Sequence, residues 1–115
     1  MSNRISNIRI TFGTGKTKDG KVISNRTVST AYKAIYTEIA SKFGGYTITN
    51  GIGGWYDAKR KVLVEETCQS ADIAVINISQ VGIQDTINDI CSLIKSTLNQ
   101  DCVLVQLSYG TSEII

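Results

Sequence analysis

The segment Phe43–Trp55 (FGGYTITNGIGGW) decides how this 115-residue chain folds, and it holds half of the chain's ten glycines. Gly44 is placed to end a helix in the left-handed conformation. Three further glycines interrupt a strand-like run: Gly51, Gly53 and Gly54. A glycine inside a strand costs stability, so it indicates a bulge or the close approach of a backbone or ligand. Because Trp55 and Tyr56 follow directly, the segment predicts a bent strand that lines a recess with aromatic walls, a binding feature rather than a catalytic one.

The apolar periodicity on both sides of this segment predicts the remaining elements. A first strand alternates at Ile8, Ile10 and Phe12. A helix follows with apolar residues up to Phe43 and with Thr27 or Ser29 as its N-cap. The later elements are a strand at 46–50, one or two strands in the runs 62–67 and 72–78, a helix at 83–98, and a strand at 103–107. Asp85 near the start of the second helix suits the helix dipole.

The predicted order β-α-β-β-α-β is typical of a ferredoxin-like α+β sandwich. Such a fold has a four-stranded antiparallel sheet with two helices on one face. Since the chain has no proline and no low-complexity tract, we expect one ligand-binding domain over residues 1–115. The other face of the sheet is left bare, which favours self-association into a homo-oligomer.

Composition excludes several classes of function. The polar start (MSNRISN) and the lack of a long apolar run argue against a signal peptide and a membrane span, so we expect a cytoplasmic protein. Three separated cysteines without metal spacing indicate buried free thiols. The net charge of +2 is too low for a protein that binds duplex nucleic acid. It divides into +8 over residues 1–61 and −6 over residues 62–115, which suits an anion site in one region and complementary subunit packing in another.

The basic segments supply candidate anion contacts. Gly15-Lys16-Thr17 resembles the end of a phosphate-binding P-loop, but the required earlier glycine is Ile10 and a turn replaces the helix, so we reject that assignment. A flexible basic loop remains, either solvated or in contact with phosphate. Arg26 lies close to a helix start, where it is either a surface residue beside a cap or part of an anion site. Arg60 belongs to a charged turn and is a weaker candidate.

The aromatic residues supply candidate stacking surfaces. Trp55 and Tyr56 are adjacent on a strand, so their side chains face opposite ways, and we expect one in the core and one exposed. An exposed aromatic ring can stack on a base, and Tyr109 offers a second wall. For each ring taken alone, packing is the simpler role.

Support for catalysis is slight in the sequence. The chain has no histidine, which removes the commonest general base and metal ligand. Glu65 and Glu66 are neighbours on a strand and face opposite ways, so they do not form a carboxylate pair. We therefore expect a protein that is not an enzyme, with no catalytic residue, no cofactor and no metal.

Four short motifs carry a resemblance to a known family. The chain has TKDG at Thr17–Gly20, FGGY at Phe43–Tyr46, GGW at Gly53–Trp55 and VEE at Val64–Glu66. In this order they resemble the phage Thoeris anti-defence proteins of the first type. The resemblance implies a homo-oligomer in the cytoplasm of an infected bacterium that holds a cyclic ADP-ribose isomer from a TIR-domain enzyme without cleaving it. Some members also hold cyclic oligonucleotides at separate sites.

A cyclic ADP-ribose needs cations for its pyrophosphate, polar donors for its riboses and an aromatic face for its adenine. Seven residues are of suitable types: Lys16, Thr17, Arg26, Asn50, Trp55, Arg60 and Tyr109. We therefore predict a phage anti-defence protein that sequesters a cyclic ADP-ribose isomer and so blocks Thoeris immunity. The alternative is a structural or protein-interaction module that self-assembles through its open sheet face without a small-molecule ligand.

Overall fold

The structure is a computed structural model that describes residues 4–115. Its elements are β1 (Ile5–Gly13), α1 (Asn25–Phe43), β2 (Thr47–Asp57), β3 (Val62–Ala74), α2 (Ile83–Leu98) and β4 (Leu104–Tyr109). The strands form one antiparallel sheet in the order β2-β3-β1-β4. This confirms the predicted α+β fold and its β-α-β-β-α-β order. Residues 1–3, part of the polar start used to argue against a signal peptide, lie outside the described residues.

Helix α1 begins earlier than predicted and ends where predicted. Its N-cap is Ser24, whose hydroxyl accepts a hydrogen bond from the backbone N–H of Thr27 at 3.1 Å. Thr27 and Ser29 are therefore not the cap, because the helix starts before its first apolar residue and the apolar pattern does not mark that boundary. Gly44 ends the helix at φ 92°, and its N–H donates to the carbonyl of Ala40 at 2.8 Å.

The core lies between one face of the sheet and both helices. On β1, Ile8, Ile10 and Phe12 are buried while Arg9 and Thr11 point the other way. The buried residues of both helices belong to the same cluster. The run after residue 62 is one strand of 13 residues rather than two. We call the sheet surface opposite the helices the open face.

The open face is polar over the centre of the sheet. Arg9 and Asp72 form an ion pair across β1 and β3, with Nε and Oδ1 3.0 Å apart. Beside it the hydroxyls of Thr11 and Ser70 are 2.7 Å apart. Both pairs lie on the open face and join neighbouring strands. Because side chains alternate along a strand, the even-numbered residues of β3 lie on this face as well.

Strands β2 and β3 continue beyond the end of β1. Ile52–Asp57 pairs with Val62–Thr67 past the last β1 partner, and we call this two-stranded extension the arm. The arm is only partly covered by the rest of residues 4–115, so Trp55 is 50% exposed and Tyr56 is 64% exposed. The prediction that one of these two rings belongs to the core is wrong, because the arm extends past the core. No helix among residues 4–115 has the length and apolarity needed to cross a bilayer.

Candidate functional site

A recess of about 920 Å³ lies at the end of the open face, where β1 stops and the arm continues. This volume is in the range of small-molecule sites, about 300–1,000 Å³. Four segments line it: the end of β1, the loop of residues 14–22, the arm, and the segment that follows α2. Its lining residues include Gly13, Lys16, Thr17, Lys18, Gly53, Trp55, Arg60, Val64, Glu66, Cys68, Gln100, Cys102 and Leu104.

The loop of residues 14–22 is ordered by its own hydrogen bonds. Lys16 and Val22 pair as an antiparallel bridge, which closes the loop as a hairpin. Inside it the Thr17 hydroxyl accepts hydrogen bonds from the N–H groups of Asp19 at 3.3 Å and Lys21 at 3.2 Å. No helix begins directly after Thr17, since α1 starts only at Asn25, which agrees with the rejection of a P-loop. Thr17 therefore shapes the turn as well as lining the recess.

The end of α2 fixes this loop to the body of the protein. The N–H of Lys18 donates to the carbonyl of Asn99 at 2.8 Å. The side-chain amide of Gln100 donates through Nε2 to the carbonyls of Lys16, at 2.7 Å, and Leu98, at 3.1 Å. These bonds place two lysines of the loop, Lys16 and Lys18, at the rim of the recess.

Glu66 lies where a side chain of residue 13 would otherwise be. A Cβ on Gly13 would be 2.5 Å from Oε1 of Glu66 and 2.8 Å from Oε1 of Gln100. Because Gly13 has no Cβ, the carboxylate of Glu66 can occupy the space beside it. Gly53 is the register partner of Glu66 on β2, so a second glycine keeps the space beside it open. Within residues 4–115 no hydrogen bond or ion pair holds this carboxylate, and its residue is only partly exposed.

Apolar side chains form the walls of the recess. Trp55 faces its register partner Val64 on the open face of the arm, and Leu104 at the start of β4 lies on the same face. The half-exposed indole offers a stacking surface for a planar ring, worth roughly 1–3 kcal/mol for a nucleic-acid base. The recess thus combines a carboxylate, an aromatic wall and a basic rim.

Arg60 belongs to the tip of the arm, and its side chain is 70% exposed. Its Nε donates to Oδ2 of Asp57 at 2.8 Å, and this bond is the main reason that the pKa of Asp57 is lowered. The same carboxylate accepts hydrogen bonds from the backbone N–H groups of Lys59 and Arg60, so it caps the turn. Asp57 thereby holds the Arg60 guanidinium at the edge of the recess.

The three cysteines are free, and two of them line the recess. Cys68 is partly buried beneath the arm, with Sγ 3.6 Å from where a Gly53 Cβ would be. Cys102 is exposed, so the prediction that all three thiols are buried is wrong for this residue, which follows α2 in an uncovered segment. Cys91 lies on α2, and burial raises the pKa of its thiol.

The structure brings together four of the seven predicted site residues: Lys16, Thr17, Trp55 and Arg60. The other three are elsewhere. Arg26 is exposed in the first turn of α1. Asn50 accepts a hydrogen bond from Gln69 Nε2 at 2.7 Å on the helix side of the sheet, and Gln69 accepts one from Tyr36. Tyr109 pairs with the first residue of β1, at the opposite end of the strand from the recess.

Sequence reasoning missed Glu66 and Gln100. The only available signal for Glu66 was the cluster of strand glycines, since Gly53 lies opposite this residue once the hairpin register is known. Gln100 gave no signal, because its partner Lys16 is 84 positions away in the sequence. No group of three or more His, Cys, Asp or Glu residues in the described part of the chain is arranged to hold a metal ion.

Comparison with solved structures finds the same fold in a phage enzyme. A phage SAM lyase in complex with S-methyl-5′-thioadenosine superposes with a TM-score of 0.67 at 15% sequence identity, covering 95% of this chain and 87% of the other. A phage SAM lyase in the apo state gives a TM-score of 0.61 at 14% identity, covering 95% and 90% of the two chains. No protein-family model matches the sequence, and no curated protein matches it either.

The likeness at this identity establishes the shared fold. It also contradicts the prediction that the chain is not an enzyme, because both of these solved structures are of a lyase. That prediction rested on the absence of histidine, and the shared fold with a lyase shows that this absence is not a sufficient ground for it.

Proposed function

We propose that this chain is a small-molecule enzyme of the phage anti-defence class that binds S-adenosylmethionine and cleaves it to S-methyl-5′-thioadenosine. The observation that carries the proposal is the Glu66 carboxylate, unpaired among residues 4–115 and seated in the space left by Gly13. A free carboxylate in a recess attracts a cationic ligand with hydrogen-bond donors. The shared fold with a lyase that holds S-methyl-5′-thioadenosine supports an adenosyl compound as that ligand.

The chemical groups of S-adenosylmethionine match the groups of the recess. Its adenine is planar and can stack on Trp55, which is half exposed at the wall. Its ribose hydroxyls and its ammonium group are donors for Glu66. Its carboxylate is an anion that the rim residues Lys16 and Arg60 can hold. Each end of the ligand therefore has a complementary partner on the protein.

The reaction needs no histidine. The sulfonium leaves as a neutral thioether when the bond between sulfur and the methionine γ-carbon breaks, so the electron pair goes to sulfur and no general acid is required. The carboxylate of the same substrate can form the new bond to that carbon and close a lactone. Atoms and charges balance without water or a protein base. The protein then needs only to bind and orient the substrate, and the recess has groups that can do both.

The direct test is incubation of the protein with S-adenosylmethionine, with separation of the products by chromatography and mass spectrometry. We expect S-methyl-5′-thioadenosine to accumulate over many turnovers. Glu66→Ala should lower kcat/KM by at least tenfold, because the carboxylate loses its contact with the substrate. Glu65→Ala is the matched control, since Glu65 is the adjacent residue on the opposite face of the arm and should leave the rate unchanged. Substrate that stays intact at high enzyme concentration would refute the proposed activity.

A second candidate ligand is a cyclic ADP-ribose isomer, which the Thoeris resemblance implies. The observation that favours it is the basic rim, where Lys16, Lys18 and Arg60 surround one opening and suit a pyrophosphate. Calorimetry with such an isomer, followed by competition with S-methyl-5′-thioadenosine, tests whether both ligands use the recess. If neither ligand binds, the alternative of a protein-interaction module without a small-molecule ligand is supported.

We further propose that the protein self-associates through the arm. Ile52, Tyr56 and Leu63 share one face of the arm and are 73%, 64% and 67% exposed. Exposed apolar surface of this kind is typical of an interface between subunits. Light scattering coupled to size-exclusion chromatography measures the mass, and Leu63→Lys should reduce it to that of a monomer if the arm is the contact.

A further inference from the structure

The amide of Gln100 has only one orientation that satisfies its surroundings. Its two Nε2 hydrogens are directed at two backbone carbonyls, those of Lys16 at 2.7 Å and Leu98 at 3.1 Å. A rotated amide would place an oxygen against both carbonyl oxygens and lose both hydrogen bonds. The Oε1 atom of Gln100 is therefore fixed in the direction of the recess.

That oxygen converges with Glu66 on a single point. Oε1 of Gln100 and Oε1 of Glu66 lie 2.8 and 2.5 Å from the position that a Gly13 Cβ would take. Both atoms accept hydrogen bonds and neither side chain has a donor left to offer there. The part of the recess beside Gly13 is thus bordered by two acceptors, one of them charged, which disfavours an anion there.

We infer that Gln100 is a specificity-determining residue that acts with Glu66 to bind a donor-bearing group of the adenosyl ligand. This inference rests on the proposed function and adds a residue that lies outside the arm. The group must present at least two hydrogen-bond donors, which the ribose diol and the ammonium group of the amino-acid part both do. A phosphate is disfavoured beside Gly13, so the pair favours nucleosides over nucleotides at the floor of the recess.

The test uses two ligands that the protein cannot cleave by this chemistry, since neither has a sulfonium leaving group. S-methyl-5′-thioadenosine has the ribose diol alone, and S-adenosylhomocysteine has both the diol and the ammonium. Calorimetry measures the affinity of each for the unchanged protein and for Gln100→Met. The variant keeps the length of the side chain, and the loop remains anchored by the hydrogen bond between Lys18 N–H and Asn99 O.

We expect Gln100→Met to weaken binding at least fivefold, the loss of about one neutral hydrogen bond. Weakening of both ligands would assign the diol to the pair, and weakening of S-adenosylhomocysteine alone would assign the ammonium. Gln106→Met is the matched control, because Gln106 is an exposed glutamine on the same open face that does not line the recess. In the double variant with Glu66→Gln the loss should be smaller than the product of the single losses, since both residues serve one ligand group.

The outcomes separate this inference from the function on which it rests. If both ligands bind the unchanged protein and Gln100→Met leaves their affinities as they were, the inference is overturned while the proposed function stands. Losses in the double variant that multiply fully would also overturn it, because they would mean that the two residues act on separate groups. If neither ligand binds the unchanged protein, both the inference and the adenosyl ligand are overturned.

Discussion

Replacing Gly13 by alanine is the smallest change that should disable the recess while sparing the fold. The new Cβ would lie 2.5 Å from Oε1 of Glu66, whereas ordinary contact begins at 3.4 Å, so the carboxylate must move by about 0.9 Å. The same methyl displaces Oε1 of Gln100, which would be at 2.8 Å. Both atoms are the far ends of flexible side chains, so the backbone of β1 need not shift.

The expected effects on stability and on binding differ in size. Alanine for glycine at a compatible position stabilises by about 0.4–1 kcal/mol, and moving a side chain off its rotamer costs about 0.5–1.5 kcal/mol. Gly13 has no positive φ, so these terms nearly cancel and the melting temperature should change by less than about 5 °C. A hydrogen bond to a charged group contributes about 1.5–3 kcal/mol, so losing the Glu66 contact should weaken binding roughly 10- to 100-fold.

The assay is calorimetry with S-adenosylhomocysteine, which has both the ribose diol and the ammonium, together with a thermal unfolding curve for each protein. Gly45→Ala is the control, because a Cβ at residue 45 meets no atom within 4 Å and Gly45 lies outside the recess. An affinity of Gly13→Ala equal to that of the unchanged protein, with a normal melting temperature, would refute the contact between the ligand and Glu66.

Further predictions concern the arm, the thiols and the turn. Gly53→Val should abolish ligand binding without loss of stability, because the new side chain enters the recess and makes only ordinary contact with Cys68. Gly51→Val, on the same face of the strand, should bind the ligand normally. A binding titration of both variants tests this prediction. Saturating ligand should slow the labelling of Cys68 by a thiol reagent and leave the labelling of Cys91 unaffected, as measured by peptide mapping. If the ligand changed the labelling rates of Cys68 and Cys91 equally, the recess would not be the binding site. The pKa of Asp57 is lowered in the folded protein, so its contribution to the turn is complete above the ordinary value of 3.8 and is lost as the pH falls through the lower folded pKa. The fluorescence of the single tryptophan should report this loss. A fluorescence signal that changed only near neutral pH would contradict the assignment.

Most of the fold could be predicted from the sequence, because it depends on local periodicity. The alternation of Ile8, Ile10 and Phe12 and the helical spacing that leads to Phe43 each report a buried face directly. The N-cap of α1, Ser24, was missed because a cap is a polar feature that lies outside the apolar pattern. The sequence predicted that one of Trp55 and Tyr56 is exposed, but not that both are. The reason is that the lengths of β2 and β3 relative to β1 are set by pairing between distant segments.

The candidate site was predictable only in part, for a related reason. The glycines before Trp55 indicated a recess, and the basic loop supplied Lys16. The sequence did not indicate a role for the carboxylate of Glu66, because the space that it occupies is provided by Gly13, a residue without a side chain on a different strand. The inference from absent histidine to absent catalysis is contradicted by the shared fold with a lyase, since the absence of one residue type excludes only the chemistry that depends on it.

The hydrogen bond that joins Gln100 to Lys16 spans 84 positions of the chain, and it has a consequence for the point in synthesis at which the recess forms. The recess draws on β1, on the arm and on the segment between α2 and β4, so no fragment released early by the ribosome contains the whole of it. A nascent or truncated chain can have helices and hairpins and still have no ligand site. A ligand site in the recess can therefore form only after the segment between α2 and β4 has been synthesised, and a chain cut before that segment would lack the site.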